Sequence, residues 1–211
     1  MASRRERTLA ALTLLTVLAA GGCSTPPWEQ GASASPAPST SPSASAAPSA
    51  SASPTPTTVP VDNDLKTGSR KRTLTAGAAE LKVTYWSTLD LGEWLPQVPK
   101  PLNVVASATL DGGAKGQNVY LSAVTVATTA YGADGTSQVL EPVEDTADVK
   151  PGYLITAPSS FQQVFTLPAA AEGSTAVQIT VTYELLIQSA PDSKTYLRQA
   201  TSDSFQVPLV T

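Results

Sequence analysis

The chain has 211 residues, a formal net charge of −4, 41% hydrophobic residues, no histidine, one cysteine and one methionine, which is the initiator. That inventory leaves no material for a Ser-His-Asp or Cys-His catalytic set, for zinc or copper sites built on His, Cys or Met, or for a disulfide within the chain. No basic stripe with interleaved aromatics occurs, so no nucleic-acid partner is expected, and no cofactor or metal either.

In chain order, Met1 to Arg7 is a short basic segment, and Leu9 to Ala20 (LAALTLLTVLAA) is an apolar run of 12 residues. Such a run is too short for a stable transmembrane helix but has the length and flanks of an export signal. The small residues Ala20, Gly21 and Gly22 then lead into Cys23. This arrangement resembles the lipobox of bacterial lipoproteins, with Gly22 and Cys23 matching and Ala20 standing where leucine is commonest. The resemblance implies cleavage between Gly22 and Cys23 and a diacylglycerol on the Cys23 thiol, with palmitate-type acyl chains. It also implies a lipid-anchored chain on the extracytoplasmic face of a cell membrane. Ser3-Arg4-Arg5-Glu6 resembles the twin-arginine export signal, although Arg7 occupies a place that family fills with an apolar residue; the general secretory route stays open beside it. Removing residues 1–22 takes away Arg4, Arg5, Arg7 and Glu6 and leaves 10 basic residues against 16 acidic ones.

Residues 23–69 read as a tether. Gly31 to Pro60 is almost entirely Ser, Ala, Pro and Thr and carries no charge. Too little apolar surface is present to offset the entropy of ordering it, and its prolines favour extended conformations. Fully extended, about 40 residues reach on the order of 120 Å, enough to lift a domain off a membrane. Asp62 to Arg72 is a charged hinge, and Arg70, Lys71 and Arg72 are either a solvated cluster or a contact for an anionic wall polymer.

Residues 70–211 are expected to form the folded domain, and from Thr73 onward the hydrophobic period becomes two. Leu81, Val83 and Tyr85 alternate with polar partners; so do Leu102, Val104, Ala106 and Ala108, and then Val177, Ile179, Val181, Tyr183, Leu185 and Ile187. This alternation predicts strands with one buried face, the last being central. Val119 to Tyr131 changes phase between Leu121 and Val124, which a bulge or an edge switch near Ser122 and Ala123 would explain. Phe161–Leu167 and Ser204–Leu209 supply further strands, and Tyr153–Thr156 and Gln138–Val143 weaker ones. Asp111-Gly112-Gly113, Gly132 to Gly135 and Pro191 to Ser193 read as hairpin turns. The expected fold is all-β: a single antiparallel β-sandwich of seven or eight strands, immunoglobulin-like in architecture. The Cys-Trp-Cys signature of antibody domains is absent.

Two stretches are candidates for function. Glu141, Glu144, Asp145 and Asp148 cluster on a loop, where oxygen ligands can hold calcium or two carboxylates can act on a glycoside. Their order does not match an EF-hand, and a solvated acidic loop is the other reading. Ser87 to Pro101 (STLDLGEWLPQVPKP) is apolar and stiffened by prolines, with Leu91, Trp94 and Leu95 as candidate partner-binding residues. The alternative is that this loop folds back and buries Trp94. The function expected is a non-catalytic binding or adaptor module that meets an envelope protein or cell-wall component. A purely structural envelope protein and a carboxylate-dependent enzyme acting on wall polymer are the alternatives.

Overall fold

The computed structural model describes residues 61–211. Cys23, Gly22 and the tether up to Pro60 lie outside the described residues. Within them the regular elements are strands and one short 3-10 turn, Leu91–Glu93, and no helix is long and apolar enough to cross a membrane.

The strands, in chain order, are β1 (Arg70–Ala76), β2 (Ala79–Trp86), β3 (Lys100–Leu110), β4 (Val119–Gly132), β5 (Ser137–Val139), β6 (Val143–Thr146), β7 (Tyr153–Leu154), β8 (Phe161–Leu167), β9 (Ser174–Gln188) and β10 (Tyr196–Pro208). One antiparallel sheet runs β1-β2-β3-β8. The other runs β10-β9-β4, and the free side of β4 is lined in turn by β5, β6 and β7. The two sheets pack face to face, so the chain is a β-sandwich.

Alternation does the sorting. On β9, Val177, Ile179, Val181, Tyr183, Leu185 and Ile187 are all buried between the sheets. β9 is central, flanked by β10 and β4. Each such Val, Leu or Ile contributes about 1.5–3 kcal/mol by leaving water. The phase change in β4 is a bulge: its register against β9 shifts between Leu121 and Ala123, and Val119, Leu121, Val124 and Val126 all stay buried. Without that extra residue, half of the strand would turn its apolar side chains to solvent.

The structure has two strands more than the alternation predicts. β1 is masked in sequence because the inward positions of its first half hold Arg70 and Arg72 rather than apolar residues. β6 is masked because its sequence, VEDT, reads as acidic loop; only β4 on one side holds it. Asp111-Gly112-Gly113 is not a hairpin turn. It follows β3, and the chain then crosses to β4 in the opposite sheet. Gly132 to Gly135 and Pro191 to Ser193 do close hairpins, β4–β5 and β9–β10. The β1–β2 hairpin turns on Gly77 and Ala78, and Gly77 has φ +61°, as the first position of a type II′ turn requires.

The folded unit also extends upstream of Arg70. Leu65 is buried in the core, and Asp64 exchanges hydrogen bonds with β10: its N–H donates to the Gln206 carbonyl at 3.0 Å, and its carboxylate accepts from the Gln206 N–H at 2.9 Å. The stretch read as a hinge is thus packed from Asp64 onward.

Candidate functional site

The Ser87–Pro101 loop joins β2 to β3 and is pinned at several points. The Ser87 hydroxyl donates to the Pro101 carbonyl at 2.7 Å and accepts from the Leu89 N–H at 3.1 Å, closing the base of the loop. Asp90 caps the 3-10 turn by accepting from the Gly92 N–H at 2.7 Å. Farther along, the Ala170 N–H donates to the Pro96 carbonyl at 2.8 Å, and the Val210 N–H donates to the Trp94 carbonyl at 3.0 Å. The loop is therefore tied both to the connection after β8 and to the end of the chain.

These ties decide the fate of the candidate residues. Trp94 has no solvent exposure and is part of the core, so it is not an anchor open to a partner. The physical reason is its size: an indole on a stiff loop at the end of a sandwich fills the gap between the two sheets. Its Nε1–H finds no acceptor, so packing and not hydrogen bonding holds it there. Leu91 is half-buried against the core and lines a shallow recess of about 300 Å³ with Leu65, Lys66 and Leu89. Leu95 remains 42% exposed. Two exposed apolar residues are close to it along the main chain: the Val98 N–H donates to the Leu95 carbonyl at 3.2 Å, and the Val210 N–H is the one that bonds to the carbonyl of the preceding Trp94. Val98 and Val210 are 37% and 40% exposed. All three are exposed apolar residues on main-chain segments tied to one another by hydrogen bonds. Val210 gave no sequence signal, because only the fold brings the chain end to this loop.

Lys100, the first residue of β3, is 1% exposed, and its Nζ donates to the carbonyls of Val98 at 2.6 Å and Pro96 at 3.2 Å. The ammonium closes the proline turn from inside. Burial lowers it from its ordinary 10.5 to about 8. Between those values the unfolded chain holds a proton that the folded chain has released, so folding stability rises with pH across that window. Tyr85 and Tyr183 act in the opposite sense at higher pH, since burial holds both phenols well above their ordinary value of 10.0. The stability of the folded unit is therefore expected to increase from about pH 7.5 to about pH 9.5 and to fall beyond about pH 10. Lys100→Met should abolish the increase in denaturation midpoint; an unchanged increase would place its origin elsewhere.

The basic cluster is divided by the strand period. Arg70 points inward, where it pairs with Asp64 and with Asp203 at 3.3 Å and lies over the Phe205 ring at 5.4 Å. Arg72 reaches Asp203 at 3.7 Å. Lys71 is exposed on the outer face, next to Thr84 in register. So the cluster is chiefly a clamp between β1 and β10, one strand from each sheet. The acidic residues do not converge: among the described residues no group of three His, Cys, Asp or Glu side chains is placed to hold a metal ion. Glu144 and Asp145 sit on β6, where Asp145 accepts a long hydrogen bond from the Tyr153 hydroxyl at 3.4 Å.

No protein-family model matches the chain, and no curated protein matches it.

Proposed function

We propose that this chain is a bacterial cell-surface lipoprotein, held on the extracytoplasmic face of the membrane through lipidated Cys23. Its sandwich serves as a non-catalytic binding module for an envelope protein or wall component. The observation that carries the binding role is the exposure of Leu95, Val98 and Val210: three apolar side chains left in water on two segments tied together by main-chain hydrogen bonds. A rigid apolar surface orders little further on binding, which favours association. The anchor rests on the basic segment, the apolar run and Cys23 in sequence. The non-catalytic reading rests on the absence of histidine from the chain and of a second cysteine beside the one consumed by lipid.

The sandwich is read as immunoglobulin-like. In support, β2-β3-β8 and β10-β9-β4 follow the orders A-B-E and G-F-C of that architecture. Between the sheets, the buried hydroxyls of Tyr85 on β2 and Tyr183 on β9 meet at 3.0 Å, a link between the strands in the A and F places.

Two measurements test the proposal. Cys23→Ser should move the protein from the membrane fraction to the soluble one and abolish labelling by a fatty-acid probe; a chain that stays in the membrane overturns the anchor. In that released form, Leu95→Asp with Val98→Asp should remove retention on isolated envelopes while the circular dichroism spectrum is unchanged. Equal retention of both forms overturns the role of these side chains, and retention of neither favours a purely structural role.

A further inference from the structure

β10 is the outer strand of its sheet, and its free edge is only partly occupied. Odd-numbered positions bond inward to β9, as in the extension beyond each end of the strand, where the Ser189 N–H donates to the Thr195 carbonyl and the Leu209 N–H to the Thr175 carbonyl. Even-numbered residues turn their N–H and C=O groups away from β9. At Gln206 both groups are taken by Asp64, and at Ser204 the carbonyl accepts from Arg70 at 3.4 Å. At Tyr196, Arg198, Ala200 and Ser202 no main-chain partner exists among the described residues.

Proteins usually blunt such an edge with lysine, proline, a bulge or a very short strand. Tyr196 to Ser202 has no lysine, proline or bulge, Arg198 is its one charged residue, and its register against β9 is uninterrupted. Arg198, Ala200 and Ser202 are exposed, and Leu197 leaves 56% of its surface in water on the same strand.

We propose that this edge pairs with the same edge of a second copy of the chain, across a two-fold axis at Gln199. That register follows from the free groups. With the axis at Gln199, Tyr196 lies opposite Ser202 of the other copy and Arg198 opposite Ala200, so every unoccupied N–H meets an unoccupied C=O. Moving the axis to Ala200 would set Tyr196 against Ser204, whose carbonyl Arg70 already holds. The charge pattern fits: no like charges stand directly opposite, and each Arg198 has Glu184 of its own β9 at 3.6 Å. Leu197 gains cover from Thr201 of the other strand. The two sheets containing β10 become one continuous sheet.

The test uses the full chain carrying Cys23→Ser. It should show a concentration-dependent monomer–dimer equilibrium by sedimentation below about 1 mM. Ala200→Pro should give a monomer with an unchanged melting temperature, because the Ala200 N–H is not used within the fold and edge positions of that kind accept proline. Gln199→Cys should form a disulfide dimer on mild oxidation, since residues facing each other at a non-hydrogen-bonded site have Cα atoms about 4.5 Å apart. A chain that stays monomeric overturns the proposal, as does a dimer that survives Ala200→Pro. A dimer sensitive to Ala200→Pro in which Gln199→Cys fails to cross-link overturns the register.

Discussion

Trp94→Ala is expected to lower the stability of the folded unit by about 3–5 kcal/mol, the range for removing a large aromatic from a packed core. Trp94 is fully buried, and its loop reaches both the connection after β8 and the end of the chain, so the cavity opens where several segments meet. A loss of that size is a large part of the about 5–15 kcal/mol that holds a typical domain together. Trp94→Phe should cost much less, because most of the ring volume is kept and the indole N–H without an acceptor disappears. Urea denaturation followed by far-ultraviolet circular dichroism separates the two variants. A cost below about 1 kcal/mol for Trp94→Ala would mean that the loop is laid on the sandwich and not built into it.

Asp203→Ala should be the most damaging change to a charged residue. Asp203 occupies an inward position of β10 beside Phe205 and Val207, with its side chain only 6% exposed. Its removal takes one of two acids from Arg70, which is 13% exposed and keeps Asp64, and Arg72 loses its acid altogether. The expected cost is about 3 kcal/mol, at the lower end for breaking a buried pair because Asp64 remains. Glu184→Ala is the control. It breaks an exposed pair with Arg198 and should cost under about 1 kcal/mol. Equal effects from the two changes would show that the clamp does not couple β1 to β10. A double-mutant cycle of Asp203→Ala with Arg70→Met measures that coupling directly.

The parts of the fold that sequence discloses are those where one face of a strand is apolar throughout. β2, β9 and the part of β3 from Leu102 onward read clearly for that reason, β8 reads through Phe161, Phe165 and Leu167 despite Gln163 on the same face, and the phase change in β4 reads as an irregularity in a buried strand. β1 and the first half of β10 hide because charge and amide replace apolar residues there: Arg70 and Arg72 on one, Gln199 and Asp203 on the other. A signal was present all the same. Asp203 shares its parity with Phe205 and Val207, and a carboxylate on an apolar phase asks for a buried cation. Only the packing of β1 against β10, distant in sequence and in opposite sheets, names that cation as Arg70. The candidate loop shows the same division. Its apolar, proline-rich composition marked Ser87 to Pro101 as unusual, but composition cannot say which apolar side chain turns in. The larger one, Trp94, went to the core, and Leu95 was left outside.

The reciprocal contact between Asp64 and Gln206 has a mechanical consequence. A pull on the chain upstream of Val61 reaches the folded unit first at Asp64, then at the Arg70 clamp, and only afterwards at the β1–β2 ladder. Asp64 and Arg70 both hold β10, so the load passes to the sheet built on β9 before it can peel β1 away. The first few residues of the unit thus act as strain relief, spreading tension over both layers of the sandwich at its point of attachment.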